Sequence, residues 1–159
     1  MQAKITFKTA ISSADFEEAH HLFKQYADSL SLDLSFQDFE AELKTLAIKY
    51  NKPEGALVLG YFNDNPVGCV GIRKWDGKIA ELKRLYVNPQ YRGYGIGSKL
   101  LEHAIDHAAQ LKYQKIRLDT LETMHDAIRL YRSFGFYVID PYRFNPEPAV
   151  YMEKDLGKD

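Results

Sequence analysis

Residues 81–98 read ELKRLYVNPQYRGYGIGS, and this stretch decides the fold because it joins a strand to a long helix through a glycine-rich loop. Gly93, Gly95 and Gly97 allow positive φ angles and let a ligand approach the backbone closely. The helix that follows presents unpaired N–H groups and a partial positive charge at its N-terminus. These features are typical of a phosphate-binding loop, although glycine-rich turns before helices also occur without a ligand.

The strand in this stretch has an irregular pattern of apolar residues. Ala80 and Leu82 share one face of a regular strand, whereas Leu85 and Val87 share the opposite face. One extra residue at 83–84, a β-bulge, would bring all four side chains to one face and leave a backbone N–H without a partner in the sheet. A strand that is buried on both faces and has no bulge would explain the same pattern.

Two well-known phosphate-binding loops fit the sequence poorly. A P-loop requires Gly-Lys-Ser or Gly-Lys-Thr, whereas Gly97 is followed by Ser98 and Lys99. A dinucleotide-binding fingerprint begins directly after its strand, whereas five residues separate Val87 from Gly93, and one further helix-strand unit follows. The sequence therefore favours neither of these two classes.

Hydrophobic periodicity places the other elements around this stretch. Helical spacing covers four segments: 16–30, 39–46, 96–111 and 127–134. Helix start signals precede the first two of them: Ser12-Ser13 and a Ser35/Asp38 capping box. Strand-like runs cover five segments: 55–62, 66–75, 78–87, 115–121 and 149–154. With one further strand before the first of these helices, the order β-α-α-β-β-β-α-β-α-β(-β) predicts one α/β domain over residues 1–159, with a mixed, mostly antiparallel sheet flanked by helices.

Composition and charge exclude several classes of function. The chain has 159 residues, with 21 Lys and Arg against 22 Asp and Glu, and this balance lacks the basic excess of a nucleic-acid-binding protein. A single cysteine, Cys69, forms no internal disulfide, and no apolar run is long enough for a membrane helix. We therefore expect a cytoplasmic protein that binds neither nucleic acid nor membrane.

The charges are nevertheless divided along the chain. Residues 15–42 contain eight acidic side chains and one basic side chain, Lys24. Residues 82–117 contain seven basic side chains and two acidic side chains, Glu102 and Asp106. Solvated helix faces explain part of each excess. The remainder predicts that the first segment favours a cationic ligand and the second an anionic ligand.

Two motifs resemble those of a known family. The pattern Arg92-x-x-Gly95-x-Gly97, after a strand that ends in 85–87, is similar to the acetyl-CoA-binding motif of the GNAT superfamily of N-acetyltransferases. The later segment 127–136, AIRLYRSFGF, is similar to the second signature of that family. The agreement in element order extends over nearly the whole chain. The resemblance implies an acyltransferase that moves the acetyl group of acetyl-CoA to a primary amine.

The resemblance also implies which residues bind acetyl-CoA. Leu85, Tyr86 and Val87 would pair with the pantetheine arm as another strand does. Backbone N–H groups of the loop would hold the pyrophosphate, on the residues Arg92, Gly93, Tyr94, Gly95, Ile96, Gly97 and Ser98. Tyr131 would contact the thiol end of the cofactor. Met124 stands where many relatives have an asparagine and departs from the family pattern.

Three residues would take part in the chemistry according to the same resemblance. The free N–H at the bulge, near Leu85, would stabilise the tetrahedral oxyanion. Tyr131 would protonate the departing thiolate, and Glu81, six residues before Val87, would serve as the general base. The alternatives are a core tyrosine for Tyr131, a solvated strand residue for Glu81, and His125 or a water chain as the base.

We expect direct attack of the amine on acetyl-CoA in a ternary complex, with a small cationic amine as the acceptor. A protein or peptide amine is an alternative acceptor, and a catalytically silent acyl-CoA-binding module is an alternative function. His103 and His107 have a spacing that could bind a metal, but no third ligand is indicated, so we expect no metal. The sequence leaves a homodimer open.

Overall fold

One sheet, five α-helices and a short 3₁₀ helix at Pro89–Tyr91 make up the part of the chain that the computed structural model describes, residues 3–30 and 39–157. The strands are β1 (Ile5–Thr9), β2 (Ala56–Phe62), β3 (Asn65–Asp76), β4 (Ile79–Val87), β5 (Lys115–Leu121), β6 (Tyr137–Ile139) and β7 (Ala149–Asp155). The helices are α1 (Ser13–Leu30), α2 (Phe39–Lys44), α3 (Leu46–Lys49), α4 (Ile96–Gln110) and α5 (His125–Ser133). Within these ranges, none of the helices is long and apolar enough to cross a membrane.

The strands lie side by side in the order β1-β2-β3-β4-β5-β7-β6. Neighbouring strands are antiparallel except β4 and β5, which are parallel. The connection between these two strands runs through α4, as parallel neighbours require. This arrangement confirms the predicted α/β class, the mixed and mostly antiparallel sheet, and the order of elements.

The second predicted helix is divided in the structure. The sequence predicts one helix over 39–46, whereas two short helices lie on either side of Thr45. Thr45 interrupts the helix because its backbone leaves helical geometry and its hydroxyl donates to the carbonyl of Ala41 at 3.0 Å. The predicted capping box at 35–38 lies outside the described residues.

Helix α1 begins at a capping box, as the serine signal predicts. The Ser12 hydroxyl accepts the N–H of Asp15 at 3.1 Å, and the Asp15 carboxylate accepts the N–H groups of Ile11 at 2.9 Å and Ser12 at 3.1 Å. The same carboxylate pairs with Lys8 at 2.6 Å. Burial raises the pKa of Asp15, but Lys8 and the two N–H donors outweigh burial and hold the pKa at about 2. Asp15 is therefore ionised and structural.

Asp15→Asn should lower the free energy of unfolding at neutral pH by about 1–2 kcal/mol, because the charge that holds Lys8 and both N–H groups is lost. The folded-state pKa lies below the ordinary value. This stability is therefore present above about pH 4 and is lost as the pH falls towards 2. Urea unfolding of both proteins at several pH values measures the difference. A difference that stays constant down to the lowest pH would show that the charge plays no part.

Helices cover both faces of the sheet and divide the core into two clusters. α4 and α5 pack on the face that carries Val58 and Leu82. α1 and α3 pack on the other face, which carries Leu57 and Leu59. Because neighbouring residues of β2 point into different clusters, the first five residues of this strand are buried without alternation.

The predicted β-bulge in β4 is confirmed. Cys69 pairs with Tyr86 and Gly71 pairs with Lys83, so one residue of β3 faces two residues of β4. Arg84, inside the bulge, has a φ of 60°. Four side chains of β4 consequently reach the cluster under α4: Ala80, Leu82, Leu85 and Val87. The strand is also largely buried on its other face, so the alternative explanation holds in part.

Candidate active site

The parallel strands β4 and β5 separate towards their carboxyl ends. They pair only over 79–81 and 115–117, although β4 continues to Val87 and β5 to Leu121. Beyond this pairing, the edge of β4 faces a groove of about 510 Å³. The end of α1 and the beginning of α5 form its other walls. A strand edge with unpaired backbone groups can bind an extended ligand as a further strand.

Three residues with an implied cofactor role, Leu85, Tyr86 and Val87, line this groove. Leu85 also lines a smaller, more enclosed cavity, here called the deeper cavity, which shares Tyr26 and Ala127 with the groove. Among the described residues, Leu85 has no partner in the sheet register, because it follows Arg84 in the bulge. The structure therefore places the backbone of Leu85, free of the sheet ladder, where the two spaces meet.

The glycine-rich loop presents unpaired backbone donors at the N-terminus of α4. Among the described residues, no acceptor bonds the N–H groups from Gly93 to Ser98. Gly95 is the N-cap, with a φ of 79°, and it offers no side chain to cap the helix. A Cβ at either Gly93 or Gly95 would meet nothing within 4 Å, so the loop is open to a ligand. This arrangement fits an anion such as a pyrophosphate.

Contacts with β2, β3 and β4 hold the loop next to the groove. The Arg92 side chain donates from Nε to the carbonyl of Val87 at 3.2 Å. The ring of Tyr94 packs edge-on against Phe62, with 4.9 Å between the ring centroids. A Cβ at Gly68 would lie 3.1 Å from a side-chain carbon of α4, so glycine lets this helix approach the sheet closely. The loop and the free edge of β4 are thereby kept side by side.

Tyr131 on α5 lies at the deeper cavity together with Leu85 and Thr120. Its ring packs against Phe136, with 5.6 Å between the centroids, and its side chain is buried. The contacts among the described residues leave its hydroxyl without a hydrogen-bond partner. Burial raises the pKa of Tyr131, so the hydroxyl stays protonated. A protonated phenol at a cavity can donate a hydrogen bond to a ligand.

Glu81 lies in an ion-pair cluster that is separate from both spaces. Its side chain is fully buried, and Oε1 accepts from Nε and Nη2 of Arg73 at 3.3 and 3.2 Å. Oε2 accepts from the hydroxyl of Tyr142 at 2.9 Å and from Nη2 of Arg143. These four hydrogen bonds occupy the acceptor positions of a carboxylate.

The charges around Glu81 weaken it as a base. Burial raises the pKa of Glu81, but Lys83, Arg143 and Arg73 outweigh burial and lower the pKa. A carboxylate with a lowered pKa and no open acceptor position takes up a proton poorly. The assignment of Glu81 as the general base stays a prediction, and these contacts argue against it.

Lys83 is a titratable group at the site that the sequence analysis did not single out. It lines the deeper cavity beside Tyr131 and is 4% exposed. Burial, and then the charge of Arg84, lower the pKa of Lys83 to about 7. Lys83 shares a face of β4 with Glu81, so a lysine at an inward-facing strand position was the signal that could have marked it.

The remaining candidates lie at the groove or away from it. His125 is exposed at the start of α5 and lines the groove with Met124, which caps this helix without a side-chain hydrogen bond. His107 lies against β1, with Nε2 3.0 Å from the hydroxyl of Thr9. In the described ranges, no group of three His, Cys, Asp or Glu could hold a metal ion.

The acidic segment is only partly available to a ligand. Asp15 caps α1, Glu42 pairs with Arg84 in the core, and Glu18 accepts a hydrogen bond from a tyrosine. Asp28 is exposed on α1 but is not among the residues that line the groove. Two further acids lie outside the described residues: Asp33 and Asp38. Internal ion pairs therefore use part of the charge that the sequence assigns to a cationic ligand.

The chain is similar to known proteins over most of its length. Residues 16–136 match the model of the Acetyltransferase (GNAT) family. An uncharacterized N-acetyltransferase of Schizosaccharomyces pombe is 36% identical over 147 residues, which cover 91% of this chain and 90% of that protein. The spermine/spermidine N(1)-acetyltransferase of Bacillus subtilis is 38% identical over 73 residues, 45% of this chain and 48% of that protein. The structure of a GNAT-family acetyltransferase from Staphylococcus aureus has a TM-score of 0.80 at 23% identity, over 97% of this chain and 100% of that one.

The chain therefore belongs to the GNAT family of acetyltransferases. It is an N-acetyltransferase, and acetyl-CoA is the acyl donor of this family. The unpaired N–H groups of the glycine-rich loop fit the pyrophosphate of that donor.

Proposed function

We propose that acetyl-CoA binds with its pantetheine arm along the free edge of β4 and its pyrophosphate on the loop 92–98, and that a primary amine attacks the thioester directly. The observation that carries this proposal is the separation of β4 and β5 at a bulge, between the glycine-rich loop and Tyr131. The groove and the adjoining deeper cavity thus border, between them, a backbone edge, the start of an anion-binding loop and a phenol donor.

The reaction requires stabilisation of negative charge on two atoms, the acetyl oxygen and the sulfur of CoA. The amine nitrogen forms a bond to the acetyl carbon, and the tetrahedral intermediate then breaks its C–S bond and releases the thiolate of CoA. The unpaired N–H near Leu85 would donate to the oxygen that becomes negative, and the hydroxyl of Tyr131 would donate to the departing sulfur. Since the pKa of Tyr131 is raised, it acts as a hydrogen-bond donor to developing charge.

A proton must also leave the amine, because an alkylamine with a pKa of about 10.4 is almost entirely protonated at neutral pH. Glu81 is enclosed by its four hydrogen bonds, so we propose that another group takes this proton. Lys83 at the deeper cavity and His125 at the groove are placed for the role, directly or through water.

We propose a small cationic amine as the acceptor. Two carboxylates support this proposal, Asp126 at the groove and Asp119 at the deeper cavity, and the similar Bacillus subtilis enzyme is named for two polyamines. An amine on a protein or peptide and a catalytically silent acyl-CoA-binding module are the alternatives. The single buried cysteine, Cys69, agrees with the cytoplasmic location that we propose.

Thiol release from acetyl-CoA, measured with spermidine, L-lysine and a lysine-containing peptide, tests the proposed function. We expect release that depends on the amine and is fastest with spermidine. A higher rate with the peptide would assign a protein or peptide acceptor. A silent module would show a rise in melting temperature with acetyl-CoA but no release of thiol with any amine.

Glu81→Gln should lower the free energy of unfolding by about 3–5 kcal/mol, because Arg73 and Arg143 lose a buried partner charge. The remaining activity should keep the pH profile of the wild type, because another group accepts the proton. Chemical unfolding and the pH dependence of thiol release measure the two effects. Loss of the acidic limb of the pH profile would instead restore Glu81 as the general base.

A further inference from the structure

Arg84 has an unusual backbone conformation in the bulge of β4, directly before the N–H group that we propose for the oxyanion. Its φ of 60° lies in the left-handed region, which disfavours residues with a Cβ. It precedes Leu85 in the bulge, so its conformation sets the direction of the next N–H group. Such a conformation persists only where the surrounding structure holds it. Contacts of Arg84 should therefore explain why the bulge is stable.

The side chain of Arg84 is tied to α2 by a buried ion pair. Nε donates to Oε2 of Glu42 at 3.1 Å, and Nη2 donates to Oε1 at 3.0 Å. The two side chains are 4% and 1% exposed. This two-point geometry fixes the guanidinium in orientation as well as in position. The carbonyl of Arg84 also accepts the thiol hydrogen of Cys69 at 3.4 Å, so the residue is held at both its side chain and its backbone.

A further contact, with Tyr50, fixes the position of the Glu42 side chain. The hydroxyl of Tyr50 donates to Oε2 of Glu42 at 3.0 Å, and the buried ring of Tyr50 packs edge-on against Phe23. A Cβ at Gly71 would lie 2.6 Å from this ring, so glycine is required where Tyr50 rests on β3 next to the bulge. Burial raises the pKa of Glu42, but Arg84 outweighs burial and lowers the pKa, which keeps the pair ionised.

We infer that Glu42 is a positioning residue for acetyl transfer: through its two-point pair with Arg84 it holds the bulge of β4 so that the N–H near Leu85 points to the acetyl oxygen. The competing explanation is a pair that only stabilises the fold. A positioning pair affects the transition state and therefore kcat, whereas a purely stabilising pair affects the melting temperature alone. The inference rests on the proposed function, since it requires acetyl transfer at this groove.

Glu42→Gln keeps the shape of the side chain and removes its charge. We expect kcat to fall at least about tenfold, with KM for acetyl-CoA within about twofold of the wild type. Glu153→Gln is the matched control, because Glu153 is also buried and pairs with Arg117 at 2.6 Å but lines neither the groove nor the deeper cavity. The control should lose melting temperature and keep its kcat. An unchanged kcat in Glu42→Gln, or equal losses in both variants, would overturn the inference.

A pair of double variants decides the matter if Glu42→Gln fails to fold. Apolar residues of similar size often replace a buried ion pair without loss of stability, so Glu42→Met with Arg84→Met should fold. Methionine disfavours the φ of this position, whereas glycine accepts it. Glu42→Met with Arg84→Gly should therefore be at least about threefold faster than the first double variant. A wild-type kcat with methionine at 84, or no gain with glycine, would contradict the inference.

The same assay separates this inference from the proposed function. Wild-type protein is first assayed with acetyl-CoA and spermidine, L-lysine or the lysine-containing peptide, and the variants are then compared with the best of these amines. A wild type without amine-dependent thiol release would overturn both proposals. An active wild type with an equally active Glu42→Gln would overturn only the role of Glu42.

Discussion

A Tyr131→Phe variant is expected to bind acetyl-CoA as the wild type does and to turn over on the order of 10²-fold more slowly. The substitution removes one hydroxyl from the deeper cavity and leaves the packing of the ring on Phe136 in place. No described residue forms a hydrogen bond with that hydroxyl, so its removal costs the fold no internal hydrogen bond. The melting temperature should therefore stay near that of the wild type.

The reason for the slower turnover lies in the leaving group. A thiol with a pKa of about 8.5 departs more easily when a donor meets its developing negative charge. The loss in Tyr131→Phe should consequently shrink with an acyl donor whose thiol is more acidic, because that group needs less help. Rates with two donors of different thiol pKa measure this dependence.

Tyr113→Phe is the matched control for this experiment. Tyr113 is also a buried tyrosine, and its hydroxyl donates to the carbonyl of Glu54 at 2.6 Å, outside both the groove and the deeper cavity. This variant should lose some stability and keep its turnover. If Tyr131→Phe instead unfolds the protein, or weakens acetyl-CoA binding while turnover is intact, Tyr131 is a structural residue.

Gly95→Val should abolish the rise in melting temperature that acetyl-CoA causes in the wild type. The N-cap conformation at φ 79° costs a β-branched residue about 1–3 kcal/mol, so the loop would leave the geometry that gathers its N–H groups. A side chain at this position would also compete with a phosphate for the open space of the loop. Melting curves with acetyl-CoA, NADH and ATP measure the effect, and we expect the wild type to respond to acetyl-CoA alone.

Gly77→Val separates loss of binding from loss of stability. Gly77 has a φ of 51°, and, as at Gly95, a Cβ there would meet nothing within 4 Å, but the residue lies in the turn between β3 and β4. Both variants should therefore melt at a lower temperature without ligand. Only Gly95→Val should lose the response to acetyl-CoA. Loss of the response in both would show that the loop is not specifically involved.

The bulge and the loop could be predicted from sequence because both are local features. A change in the parity of apolar residues within one strand indicates an extra residue, and the structure has it at Arg84. Three glycines within five residues, directly before a helical pattern, indicate an open loop, and the structure has positive φ at Gly93 and Gly95. The sequence analysis thus predicted both local backbone features, while the roles of their residues in binding and catalysis stay predictions.

The side-chain environment of the site could not be predicted in the same way. Glu81 meets Arg143 across 62 positions of sequence, and Arg84 meets Glu42 across 42 positions. Pairs at such separations depend on how helices and loops pack onto the sheet, which periodicity within one element does not encode. The sequence therefore indicates Glu81 as a candidate base but does not predict the two arginines that enclose its carboxylate.

Initial rates of thiol release, with acetyl-CoA and the amine varied together, test the central claim most directly. The thiol of Cys69 is buried, and burial raises its pKa, so an acetyl-cysteine intermediate is not expected. We predict intersecting double-reciprocal lines, one N-acetylated amine for each thiol released, and an unchanged protein mass after incubation with acetyl-CoA alone. Parallel lines with an acetylated protein, or thiol release that does not depend on the amine, would contradict direct transfer in a ternary complex.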